Sequence, residues 1–488
     1  MLAPPPPSSH SSSPQRSRRR RSKSPSKRTG FPPKTPPHPV PKPVISETLS
    51  PATSASNTLD KPKEEEELEE KDKPFVGDVA VPGGGSRAWL VVFGGFLNFT
   101  TSFGVSPSSY LFLPLRRPFS HSLFLMFIGG LFVGPAYDRF GARPIMAPGA
   151  IICLVSYIMT SFARKYHLIL LSQGFLFGIR NAMLYYPTAG AIAEWFDKRR
   201  GLALGLAISG SSVGGIIWPI VIGRLLNSVG FAWTNRILAF ASIPLLGIAC
   251  TLVQERRGTG GHDIHGRKLT SPPRLSKEVF QHQFLVLSSA LFFVFMGMLI
   301  PFNYVGLYAL ANGLSPMMGN DLLSICYGGS VVGRIMTGWI GDRFGRYNND
   351  FVIGTRISAN YVRRFNVLLA LTVATSTLIY SWIGLKTLAG QVTFALLYGF
   401  CSGGLVPLGS ACVAQTTVDM GHLGLRIGVM MALCSPGALT ANPIAGMLRA
   451  KLNSWVEVHI FAGSVMLLGA ILLLWARMLW ARRWWVIV

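Results

Sequence analysis

Acidic residues are scarce: 21 Asp and Glu stand against 46 Lys and Arg in 488 residues, and ten of the acids fall within the first 86 positions. The rest of the chain has too few charges for the surface of a soluble protein of this length. Cysteine is rarer still, with six (Cys153, Cys250, Cys326, Cys401, Cys412 and Cys434), all inside apolar runs. Cys401 and Cys412, the nearest pair, lack metal-ligand spacing and a neighbouring histidine, which excludes a disulfide framework or a zinc site. The chain opens without an apolar h-region, since Pro4 to Pro7 and a serine run come first. A cleaved signal peptide is therefore not expected, and the first hydrophobic segment, near Trp89, reads as an uncleaved anchor. No nucleophile–base set and no metal cluster stand out, so neither enzymatic activity nor a cofactor is expected.

What fills the chain after Ala88 is a succession of apolar runs of the length that crosses a bilayer core, roughly 20 residues. They predict an all-α polytopic membrane protein of twelve transmembrane helices in two six-helix bundles. The expected organisation is a disordered cytoplasmic tail (1–85), a first bundle (86–253), a central cytoplasmic loop (254–283), a second bundle (284–480) and a short cytoplasmic tail (481–488). The low-complexity tail, with Arg18 to Arg21 and Glu64 to Glu67, has too few apolar groups to offset the entropy of ordering. The net charge of +25 sits there and in short loops such as Lys198-Arg199-Arg200. That placement follows the positive-inside bias and puts both termini in the cytoplasm. The lipid bilayer is the expected partner and nucleic acid is not. The plasma membrane is the first expectation for location, with a vacuolar or other organellar membrane as the alternative.

One octet occurs twice, as Gly134-Pro135-Ala136-Tyr137-Asp138-Arg139-Phe140-Gly141 and Gly338-Trp339-Ile340-Gly341-Asp342-Arg343-Phe344-Gly345. Each copy ends an apolar run, as expected of duplicated transporter halves. Gly134 and Gly338 predict close helix approach. Asp138 and Asp342 are expected to accept N–H groups at the start of the following helix, and Arg139 and Arg343 to pair across the interface. Two stretches depart from the plan: Pro114 to Pro118 is short, and Tyr347 to Arg364 has no counterpart in the first half. A misplaced exon boundary is the favoured reading of both.

Two arginines fall mid-span, where a charge costs about 2.5–3.5 kcal/mol to insert and so faces a cavity or a partner. Arg334 reads as a substrate anchor or as a structural arginine, Arg180 as cavity lining or a structural oddity. Asn303 and Tyr304 are candidate cavity liners, with interhelical hydrogen bonding as the alternative. No histidine is mid-span, which leaves Glu194 as the strongest candidate for a proton carrier.

The octets resemble the cytoplasmic signature of the major facilitator superfamily. Trp195-Phe196-Asp197-Lys198-Arg199-Arg200-Gly201-Leu202 resembles the fifth-span signature of its monocarboxylate-transporter-like family, as Arg87-Ala88-Trp89 resembles the first. Asn442-Pro443-Ile444-Ala445-Gly446 is similar to the eleventh span of the fungal branch. The resemblance implies alternating access by two rocking bundles, with Asp197, Lys198, Arg199 and Arg200 joining the octets in cytoplasmic contacts. It also implies a small organic anion as substrate, monocarboxylates first, held by Arg334, with protons a candidate coupling ion. Animal relatives carry an aspartate one turn before that arginine, where this chain has Ser330. A larger or neutral metabolite is the rival substrate, and a non-transporting sensor with a signalling tail is the rival function.

Overall fold

The computed structural model describes residues 85–102, 117–196, 199–256, 281–343, 356–417 and 422–480. The expected tails apart from Gly85, most of the central loop, residues 114–116 and 347–355 of the two irregular stretches, Asp197, Lys198 and Gly345 lie outside these residues. The described residues belong to one unit, Asp78–Val488, and are almost wholly helical. α1 is Ser86–Ser102, α2 Arg117–Phe140 and α3 Arg143–Phe162. α4 joins Tyr166–Ile169, a π-helical Leu170–Leu176 and Phe177–Trp195. Residues 200–252 run on as helix except at Gly230, whose φ of 77° and ψ of 175° break the run into α5 (200–229) and α6 (231–252). Loop was expected between them; both helices instead extend to this one residue, where the absence of a Cβ makes the positive φ cheap.

The second half repeats the plan. α7 is His282–Ala311, α8 Pro316–Arg343 and α9 Arg356–Ser381. α10 joins Leu388–Gly403 to Leu405–Gln415, α11 is Leu423–Leu452 and α12 Val456–Trp480. Twelve helices thus stand among the described residues, and nine helical stretches, one of them running through the break at Gly230, are long and apolar enough to cross a membrane. Helices are the solution that hydrocarbon permits an open chain, because each backbone N–H and C=O is satisfied within its own segment. Proline punctuates the starts, with Pro144 in the first turn of α3 and Pro316 opening α8. Asn453, in the left-handed region at φ 50°, ends α11.

Large apolar side chains face outward around the bundle: Phe132 and Met317 are each 75% exposed and Phe162 is 66%. Such a surface is stable against lipid tails and not against water. The protein is an integral, multi-pass membrane protein. Inside, α1 packs on α5 and α6, with Gly210 against Phe96 and Leu252 against Gly94. The two halves meet along α2–α11 and along α5–α8.

Candidate functional site

The two seams between the halves are copies of one joint. On the first, Asp138 at the end of α2 accepts the backbone N–H groups of Gly424 and Leu425 at 2.9 and 2.8 Å. On the second, Asp342 at the end of α8 accepts those of Gly201 and Leu202 at 3.1 and 2.7 Å. Each carboxylate therefore caps the amino end of a helix in the opposite half, where free N–H groups and the helix dipole favour negative charge. This corrects the expectation that the octet aspartates cap the helix that follows them. For α3 that task falls to Glu255, just beyond α6, which accepts the N–H of Ala142 at 2.9 Å.

Glycine lets the backbones touch. A Cβ on Gly134 would lie 2.2 Å from the Gly424 carbonyl oxygen, and one on Gly338 would lie 2.4 Å from that of Gly201. One turn further in, a Cβ on Gly428 would meet the oxygen of Gly130 at 2.1 Å, and one on Gly205 that of Arg334 at 2.3 Å. Gly130 and Arg334 occupy the same place in the repeated pattern, four residues before their octets. The joint is thus symmetric in backbone and asymmetric in chemistry.

Arg334 reaches from α8 to α5, donating through one terminal nitrogen to the carbonyl of Ile208 and the hydroxyl of Ser211. Its Nε is buried without a hydrogen-bond partner among the described residues. A guanidinium so placed can take a planar carboxylate in a two-point contact, the geometry for which arginine is suited. One turn above, Ser330 is fully buried and meets Ser212 of α5 at 3.1 Å. Across the same interface Tyr185 of α4 and Ser410 of α10 share a hydrogen bond at 3.3 Å. Asn303 turns its amide to its own helix, donating to the Leu299 carbonyl at 2.7 Å, and Tyr304 donates to that of Asn442 at 2.9 Å. Asn442 in turn donates to Ser120 of α2 at 3.3 Å, so α2 and α11 also meet far from the octets.

Arg180 stands apart from this group. It is fully buried among α1, α3 and α4, with its guanidinium 3.6 Å above the Phe177 ring and 5.2 Å from that of Tyr157. It donates to the Cys153 thiol and to the Ser102 carbonyl. Arg139 lies over Phe140 and Arg343 over Trp339. The cation that joins Asp342 is Arg364 of α9, at 3.0 Å. Arg199 is exposed, whereas Arg200 is buried and turns back to the Ala193 and Phe196 carbonyls at 3.0 and 2.9 Å, closing the end of α4. Glu194 accepts the Tyr137 hydroxyl at 2.8 Å. Glu255, Arg364 and the serine and tyrosine pairs carry no spacing signal in the sequence, because each finds its partner only after the helices assemble.

Comparison with known proteins agrees with this architecture. The family profile described as Major Facilitator Superfamily matches residues 86–355. The MFS-type transporter pynF of Aspergillus niger is 38% identical over 417 residues, covering 82% of this chain and 90% of that one. The aspyridones efflux protein apdF of Emericella nidulans is 31% identical, covering 82% and 79%. Among solved structures, the fucose:proton symporter FucP of E. coli superposes with a TM-score of 0.57 at 15% identity, covering 80% of this chain and 97% of that one. That likeness concerns the fold.

Proposed function

This chain belongs to the Major Facilitator Superfamily, and from that premise we propose that it carries small organic anions, monocarboxylates first, across a membrane by alternating access, as a member of the fungal monocarboxylate-transporter-like branch. The observation that carries this reading is Arg334: a mid-helix cation at the seam between the halves, with a buried Nε left to a ligand. The substrate carboxylate takes the guanidinium, and the halves rock about it so that the site faces each side in turn. During that cycle the capped ends of α5 and α11 separate from Asp342 and Asp138 and return to them. Asn303 and Tyr304 flank the path on α7. Arg180, enclosed within the first half, holds its own helices together.

Export is the proposed direction, by analogy with relatives named as efflux proteins. The octet end and both termini face the cytoplasm of a plasma-membrane protein, and protons are the proposed coupling ion, with Glu194 as their carrier. The test is reconstitution into liposomes with a panel of radiolabelled carboxylates, with and without a pH gradient. Accumulation of at least one acid, lost in Arg334→Ala with insertion intact, is expected; unchanged uptake by that variant overturns the assignment. Deleting residues 1–80 separates transport from sensing, because a transporter keeps its flux.

A further inference from the structure

Seven residues before Arg334, on the same face of α8, stands Tyr327, about 10 Å away along the axis at 1.5 Å per residue. Its ring stacks on Phe302 of α7, with centroids 5.6 Å apart and planes inclined by 29°. Phe302 in turn meets Tyr398 of α10 edge-on at 5.5 Å. Tyr398 is fully buried and its hydroxyl donates to the Met298 carbonyl at 2.7 Å, so the rings are held from behind. Phe302 and Tyr327 keep part of their surface uncovered. Gly215 of α5 lies against the Tyr327 ring, which sets this aromatic shelf on the same seam as Arg334.

Several neighbouring polar groups already bond within the protein. Ser330 is bonded to Ser212, Tyr185 to Ser410, and the Asn303 amide to its own helix. A hydroxylated substrate would have to compete with these internal bonds, whereas a site selects such a substrate most strongly by offering it free partners. A three-carbon acid at Arg334 would reach about one helical turn, roughly 5 Å, and leave the rings untouched. A longer acid with a flat apolar body would cover them.

We propose that the preferred ligand is an amphipathic organic acid with a planar aromatic or conjugated body about 10 Å long, its carboxylate at Arg334 and its body against Tyr327 and Phe302. The proposal rests on the reading of Arg334 as carboxylate anchor, and makes Tyr327 and Phe302 the residues that set substrate size.

The test is isothermal titration of the full-length protein in detergent with lactate, 4-biphenylcarboxylate and the neutral 4-biphenylcarboxamide. The biphenyl acid is expected to bind at least about tenfold more tightly than lactate, the gain available from covering apolar and aromatic surface. The amide should bind far more weakly than its acid. Phe302→Leu and Tyr327→Leu should each erase the advantage over lactate while leaving lactate binding in place. Equal affinity for lactate and the biphenyl acid in the unmodified protein overturns the shelf and leaves Arg334 standing. Equal affinity for acid and amide overturns the carboxylate anchor itself, and recognition of none of the three ligands overturns both.

Discussion

Asp342 accepts the backbone N–H of Leu202 at 2.7 Å, although the two belong to opposite halves of the protein. Together with Asp138 and Leu425 it ties the octet end shut through main-chain donors. A conformational change that opens this end must break all four capping bonds.

Replacing either aspartate therefore favours the open state. A hydrogen bond to a charged group contributes about 1.5–3 kcal/mol, and a loss of about 2 kcal/mol moves an equilibrium roughly thirtyfold. Asp342→Asn should speed alkylation of a cysteine introduced by Ser212→Cys from the octet side. Equal labelling rates with and without Asp342→Asn would show that the caps do not hold the gate.

Arg334→Lys keeps the charge and loses the planar fork. Transport should persist with KM raised about tenfold, the loss of roughly 1.4 kcal/mol expected when a two-point contact becomes one. Arg334→Ala should abolish carboxylate transport while surface expression is unchanged. A lysine variant with unaltered KM would argue against a two-point contact.

The glycine crossings give a paired control. Gly205→Ala pushes a methyl toward the Arg334 carbonyl oxygen, whereas a Cβ on Gly247 meets nothing within 4 Å. Overpacking costs about 1–3 kcal/mol, so Gly205→Ala should lower the melting temperature in detergent and Gly247→Ala should leave it in place. Matching melting curves would refute the close crossing.

Arg180→Met should retain transport with its KM unchanged. The guanidinium rests on two rings and a thiol inside the first half, and exchange of a buried charge for a well-packed apolar side chain is often neutral. A raised KM in this variant would move Arg180 into the substrate path.

Glu194→Gln should leave facilitated exchange intact and remove its response to an imposed pH gradient, because a proton carrier needs an ionisable group. Retained pH stimulation would exclude Glu194.

The fold was legible because its determinants are local. Runs of apolar residues set span length, and a charged octet recurring in the second half reports the duplication. Capping was legible as chemistry and not as connectivity. Asp138 plainly suits a helix amino end, yet the end it caps lies 286 residues away in sequence, beyond any local pattern. Arg364 was hidden for a related reason, since it closes a polar stretch with no counterpart in the first half. The aromatic shelf is built from α7, α8 and α10, and three rings far apart in the chain look like ordinary core until the helices are placed.

The equivalence of Gly130 and Arg334 divides the labour between two copies of one hinge. In the proposed reading the α2–α11 copy, with glycine at that place, serves as the bearing. The α5–α8 copy, with Arg334 at that place, doubles in that reading as the reader of cargo. Cargo preference can then drift by substitutions on α7 and α8 alone, while the bearing that turns the machine stays as it is.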